Sequence, residues 1–219
     1  MKTPLTLEDI FNRLLDRFGP LHWWPAETPF EVCVGAILTQ NTAWINVEKA
    51  ICTLKQSGIM SPEALQEIAP EHLARLIRPA GYFNVKSRRL KDFTTWLILN
   101  HGGSLERMFA GCWRELRVEL LRVRGVGPET ADSILLYAGN QPSFVVDAYT
   151  RRLFMRLGLL PATADYDYTR ELFMNNLPQD VPLFNEFHAQ IVEQCKRFCR
   201  TRPLCSGCPL DDSCPSRLA

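Results

Sequence analysis

The chain has no apolar run near the roughly 18–20 residues that a membrane-crossing helix requires. Its start, Met1-Lys2-Thr3-Pro4-Leu5-Thr6-Leu7-Glu8-Asp9, has no apolar core of a signal peptide, so a cytoplasmic location is expected. Net charge is nearly absent: 25 Lys and Arg against 24 Asp and Glu leave +1. Taken alone, that balance argues against a nucleic-acid binder, whose charge is usually basic overall. Strand-like alternation is also missing, since Val145-Val146 is β-branched but too short to count. There is no internal repeat and no low-complexity linker. With 46% hydrophobic and 22% charged residues the chain is not disordered, and 219 residues allow one large domain or two small ones.

What is present is a succession of helix signals. Thr6 and Asp9 frame a capped start, and Ile10, Leu14 and Phe18 recur at helical spacing until Gly19-Pro20. Further helices are predicted over 30–38, 43–56, from Ser61-Pro62-Glu63, from Pro70-Glu71, and over 84–100, 112–120, 129–138, 148–157, 167–177 and 184–198. The expected class is all-α.

One turn stands out. Val123-Arg124-Gly125-Val126-Gly127-Pro128 joins two helices, and its paired glycines permit positive φ and close backbone approach. Pro128 suits the first turn of the helix that follows, whose N-terminal N–H groups make an anion site. Arg122 and Arg124 flank it. Further basic residues gather at Lys86, Arg88, Arg89 and Lys91, at Arg151, Arg152 and Arg156, and at Lys196, Arg197, Arg200 and Arg202. Such patches give salt-dependent, sequence-independent affinity for DNA, which the overall charge conceals. Glu129 and Asp132 offset the patch at the turn.

The eight cysteines are unevenly placed. Five fall in the last 25 residues, and Cys199, Cys205, Cys208 and Cys214 follow the pattern Cys-x5-Cys-x2-Cys-x5-Cys. In a reducing compartment this clustering points to metal rather than disulfides. Spacing alone leaves a [4Fe–4S] cluster and zinc both open. Cys195 is a spare candidate ligand in place of Cys199, although its gap of nine residues to Cys205 is long.

Together these segments resemble the endonuclease III superfamily of helix-hairpin-helix DNA glycosylases. Leu121 to Ala131 resembles its hairpin, Val145-Val146-Asp147 the segment bearing its catalytic Asp, and Pro29-Phe30-Glu31-Val32 with Leu38-Thr39-Gln40-Asn41-Thr42 its early motif. Gly81 to Lys86 resembles the segment before a DNA-facing helix. The order agrees over nearly the whole chain. The resemblance implies a two-lobed all-α fold, with a six-helix lobe over 26–138 carrying the hairpin at about 113–138. A second lobe combines 1–25 with 139–219, and the damaged base enters a cleft between them. It also implies a [4Fe–4S] cluster on Cys199, Cys205, Cys208 and Cys214, although the family's first gap is one residue longer.

The same resemblance implies Asp147 as the catalytic carboxylate, with a helix N-cap as its other plausible role. It implies DNA contacts at Lys86, Arg88, Arg124, Gly125, Val126, Gly127, Glu129 and Thr130. Bifunctional members carry a nucleophilic lysine after the hairpin glycines; Glu129 stands there, and no lysine lies between Lys91 and Lys196. Little or no strand-nicking lyase activity is therefore expected. Ala36 stands where the adenine-mismatch branch has its Glu. Trp23, Trp24 and Trp44 are candidate rings for stacking a flipped base, and Gln40 and Asn41 candidates for filling the gap it leaves. Trp-Trp and Thr-Gln-Asn-Thr resemble the 3-methyladenine glycosylases. The expectation is a cytoplasmic, nucleoid-associated monomer acting on double-stranded DNA and releasing alkylated purines. An enzyme for oxidised pyrimidines, a uracil or thymine mismatch glycosylase, and a non-catalytic damage sensor are the alternatives. His22 and His188 are read as structural.

Overall fold

Side-chain caps set most of the helix starts. The Thr6 hydroxyl accepts from Asp9 N at 3.1 Å while the Asp9 carboxylate accepts from Thr6 N at 3.0 Å, which opens α1 (Leu7–Phe18). The computed structural model describes residues 5–24 and 26–217. Residues 1–4, on which the reading of the N-terminus partly rests, lie outside this range, as does Pro25. Thr28 caps α2 (Pro29–Leu38), followed by α3 (Trp44–Gln56), and Ser61 caps α4 (Pro62–Glu67). Then come α5 (Pro70–Leu76), a 3-10 turn (Arg78–Ala80) and the long α6 (Phe83–His101). After α7 (Leu105–Phe109), α8 (Trp113–Arg122) and α9 (Pro128–Ser133) flank the glycine turn. Last come α10 (Ala148–Arg156), α11 (Tyr166–Asn176) and α12 (Val181–Arg197), capped by Asp147, Asp165 and Asp180. There is no strand among the described residues, as the sequence predicts.

The chain divides into two compact units, Trp24–Gln141 and Met1–Trp23 with Pro142–Ala219. The first is built around α2, every residue of which after Pro29 is buried. Helices α3, α6 and α9 surround it. A helix apolar on all sides needs such full enclosure, and each large side chain buried contributes about 1.5–3 kcal/mol. In the second unit α12 packs on α1 and α10. Its core is a phenylalanine cluster. Phe144 lies flat on Phe173 at 3.8 Å between centroids, and Phe184 and Phe187 meet Phe144 edge-on.

Three elements differ from expectation. Helix α7 is additional: it has only five residues, too few for an apolar period, and its start rests on Ser104 accepting from Arg107 N. The helix expected over 129–138 changes pitch at Ile134 into a π turn, where Gly139 N donates to Ile134 O at 3.0 Å. Helix α12 begins at Val181 rather than 184, because Asp180 caps it and Pro182 fits its first turn.

Candidate functional site

Asp147 sits at the junction of an extended segment and α10. Its Oδ1 accepts from Thr150 N at 2.7 Å and from Thr150 Oγ1 at 3.0 Å, so the N-cap role holds. A cap of this kind is worth about 1 kcal/mol. The other oxygen, Oδ2, lies 3.6 Å from His188 Nε2 of α12. The carboxyl side chain retains 15% exposure, so one edge remains open. Burial pushes its pKa up, but His188, by hydrogen bond and charge, and the two Thr150 donors outweigh this and hold it below the ordinary carboxylate value. Asp147 is therefore an ionised carboxylate in a largely dry setting. Trp23 stacks on the His188 ring at 5.5 Å and 30°, and Lys196 Nζ stands 5.9 Å from the Trp23 centroid.

In the other unit the glycine turn is braced from behind. Gly125 has φ +87°, and a Cβ there would come within 2.8 Å of Arg89 Cδ. Gln40 Nε2 donates to Gly125 O at 3.0 Å and to Thr130 Oγ1 at 2.8 Å, and Gln40 Oε1 accepts from Arg89 Nη1. This corrects the expectation that Gln40 fills the gap left by a flipped base, because both ends of its amide are spent on the hairpin. Asn41, by contrast, is exposed and held at φ +53°. Thr130 is buried and its hydroxyl serves Gln40, so its side chain is no phosphate ligand. Val126 is likewise corrected: its side chain is in the core and its N–H donates to Val123 O at 3.0 Å. Arg124 and Glu129 are exposed, and Gly125 and Gly127 partly so. Asp132 does not weaken the patch either. It is fully buried and takes a forked pair from Arg117, at 2.8 Å to Nε and 3.0 Å to Nη2.

Lys86 is the clearest correction. It is 1% exposed, and its ammonium donates to Leu38 O at 2.8 Å, Thr42 Oγ1 at 2.6 Å and Ala80 O at 2.7 Å. Burial, followed by the nearby Arg89 charge, lowers its pKa to about 8. It ties the end of α2 to the turn before α6 and cannot reach phosphate. Arg88, two residues on, is exposed. Trp24 and Trp44 meet edge-to-face at 4.9 Å, and Trp24 also packs on Tyr137. A Cβ at Gly35 would meet both indole rings at 3.5 Å, so the pair sits directly over that glycine.

The four C-terminal cysteines line one pocket, together with Arg156 and Gln194. Arg156 Nη1 lies 3.3 Å from Cys199 Sγ, and Gln194 Nε2 lies 3.0 Å from Cys208 Sγ. Donors aimed at sulfur suit thiolates. The Cys199 thiol is lowered to about 6, first by its hydrogen bond with Cys195, against burial, and then by Arg156 and Arg152. Among the described residues no group of three or more His, Cys, Asp or Glu side chains is placed to hold a metal ion. The four cysteines do share the lining of that pocket, and four thiols are the donor set that a four-iron cluster takes, one per iron. Cys195 is buried outside it, with Sγ 3.5 Å from Tyr149 O. Arg152 Nε donates to Cys199 O at 2.8 Å, and Arg156 also donates to Arg200 O and Thr201 O. These two arginines, expected on a DNA-facing patch, instead clamp the cysteine loop to α10.

Comparison with known proteins agrees with this geometry. The family model described as HhH-GPD superfamily base excision DNA repair protein matches residues 34–179. The chain belongs to this superfamily. A Methanocaldococcus jannaschii protein named as a candidate DNA repair glycosylase is 49% identical over 95% of each chain. Endonuclease III of Thermotoga maritima is 30% identical over 95% of this chain and 92% of its own. The crystal structure of 3-methyladenine DNA glycosylase from H. pylori, bound to 1,N6-ethenoadenine, superposes with a TM-score of 0.76. It is 30% identical, over 88% of this chain and 98% of its own. Membership of the HhH-GPD superfamily makes the chain a base excision repair DNA glycosylase with an all-α fold.

Within this HhH-GPD chain the structure brings Asp147, His188 and Trp23 together, and separately joins Gln40, Arg89, Gly125 and Thr130. Gln194 escaped sequence reasoning, while His188 was read only as structural and Arg89 only as part of a basic patch. His188 lies on α12, the helix that leads into the cysteine loop, far in sequence from Asp147.

Proposed function

We propose that this glycosylase is monofunctional and releases alkylated purines such as 3-methyladenine from double-stranded DNA. The observation that carries the reading is Glu129, exposed at the start of α9 where bifunctional relatives place a nucleophilic lysine. A carboxylate there forms no Schiff base. Breaking the bond between base and sugar develops positive charge on the sugar. The ionised Asp147 is suited to stabilise that charge or to orient water. An alkylated purine already carries positive charge and leaves without a proton donor, so one carboxylate suffices. Trp23 supplies a ring whose face favours such a base by about 0.5–2 kcal/mol. The named substrate class of the H. pylori relative supports this choice.

We further propose a [4Fe–4S] cluster on Cys199, Cys205, Cys208 and Cys214. Bound there, it would supply a rigid cross-link for the C-terminal loop. The chain's own contribution is to direct Arg156 and Gln194 at two of the thiolates and to anchor the loop backbone through Arg152. A single absorption spectrum checks it: iron–sulfur thiolates absorb near about 400 nm and zinc does not.

The similarity to endonuclease III favours a second reading, action on oxidised pyrimidines. Excision assays on duplexes carrying 3-methyladenine, an oxidised pyrimidine or uracil separate the two. Release of the alkylated purine, with no borohydride-trapped covalent complex on abasic DNA, is expected. Preferential release of the oxidised pyrimidine, or efficient trapping, would overturn the proposal.

A further inference from the structure

Gln194 is fully buried on α12, five residues before the first cysteine of the loop. Its Nε2 points at Cys208 Sγ at 3.0 Å. Its Oε1 is buried with no hydrogen-bond partner. Its backbone carbonyl accepts from Phe198 N at 2.9 Å and from Cys199 N at 3.0 Å. One residue thus holds the backbone of the first cysteine and faces the sulfur of the third. A site selected for packing alone would take an apolar side chain of the same length and leave no acceptor unsatisfied. The amide is retained at that cost, and the thiol is the polar group it addresses.

We infer that Gln194 is a positioning residue that donates an N–H hydrogen bond to the Cys208 thiolate and thereby raises the reduction potential of the cluster. The inference rests on the proposed cluster. A hydrogen bond to a ligating sulfur withdraws electron density and favours the reduced, more negative state. The donation is uneven around the pocket. Cys208 receives the neutral Gln194 amide beside the Leu210 backbone N–H, Cys199 the Arg156 guanidinium, and Cys214 the Ser216 backbone N–H alone, its Sγ also lying 3.6 Å from Arg156 O. Removing the amide therefore alters a single, identifiable hydrogen bond.

The test uses the purified full chain and two substitutions. Gln194→Met keeps length and removes the donor; Gln194→Glu keeps shape and replaces the donor with an acceptor or a negative charge. Visible absorption and iron content are read first. A wild-type protein without iron or the band refutes the cluster itself, and with it this inference. With the cluster present, voltammetry is expected to give a midpoint potential lower in Gln194→Met than in wild type, and lower still in Gln194→Glu. Equal potentials in all three would overturn the inference while leaving the cluster standing. Where a variant fails to fold or load, the wild type alone decides. Pulsed electron-nuclear resonance of the reduced protein in deuterated buffer shows an exchangeable deuteron coupled at the Cys208 side, and its absence refutes the bond.

Discussion

Asp147 and His188 face one another across α10 and α12, with Oδ2 and Nε2 3.6 Å apart and Thr150 holding the opposite carboxylate oxygen. The N-cap fixes the carboxylate's direction, and the imidazole offsets the burial that would otherwise neutralise it. The same residue therefore starts a helix and carries a charge available for chemistry. Trp23, stacked on that imidazole, limits where the ring can turn.

Replacing Asp147 with Asn tests the carboxylate without removing the cap, since Asn serves equally at that position. Single-turnover base release should fall by about 10²- to 10⁴-fold, with DNA affinity and melting temperature close to wild type. Unchanged release would assign the reaction elsewhere.

The pH dependence follows from the sign of the Asp147 shift. Its folded pKa is depressed, so its ionisation and the stability linked to it are complete above the ordinary carboxylate value and are lost as pH falls through the lower folded one. Wild-type release should be flat from pH 8 down to about 5 as far as this group is concerned. In His188→Asn the largest lowering influence is gone while burial remains. The acid limb should move upward, so that rate falls within that same window. A variant profile that stays flat would show that His188 does not act through Asp147.

Lys86 and Arg88 lie two residues apart and should behave oppositely. Lys86→Met removes the donor at Leu38 O, while Ala80 O keeps the Thr42 hydroxyl, and should cost about 1–3 kcal/mol in urea unfolding. The dependence of DNA affinity on salt should not change, because the ammonium never meets phosphate. Arg88→Gln should leave stability alone and lower the slope of log affinity against log salt by about 1 for each phosphate no longer neutralised. Titrations at several salt concentrations compare them directly.

The contrast shows what could be read from the sequence. Helix positions were legible wherever a cap and an apolar period coincide, as at Thr6–Asp9 and Ser61–Pro62. The hairpin was legible because paired glycines and Pro128 are local requirements of the turn. The role of Lys86 was not, because a basic residue near a helix start looks the same whether it faces water or three oxygens from two other segments. Gln40 looked free for the same reason: its partners, Gly125 and Thr130, lie 85 and 90 residues away. His188 is 41 residues from Asp147 and carries no local mark of that partnership. Pairing distant polar groups requires the fold, and a periodic pattern supplies only faces.

The two hairpin glycines separate a structural demand from a functional one. Gly125 has φ +87°, and a Cβ would press on Arg89, which itself reaches Gln40. Gly125→Ala should cost about 1–3 kcal/mol of stability and disturb the brace behind the turn. Gly127 has φ −92° at the N-cap of α9, and a Cβ there would meet nothing within 4 Å. Gly127→Ala should therefore unfold within about 1 kcal/mol of wild type. If the turn lays its backbone against phosphate, that same Cβ occupies the space of approach. Gly127→Ala should then bind damaged and undamaged duplex alike about tenfold more weakly, equivalent to about 1.4 kcal/mol. Fluorescence anisotropy alongside urea melts reads both quantities. A stable Gly127→Ala with undiminished DNA affinity would remove the backbone of this turn from the DNA interface.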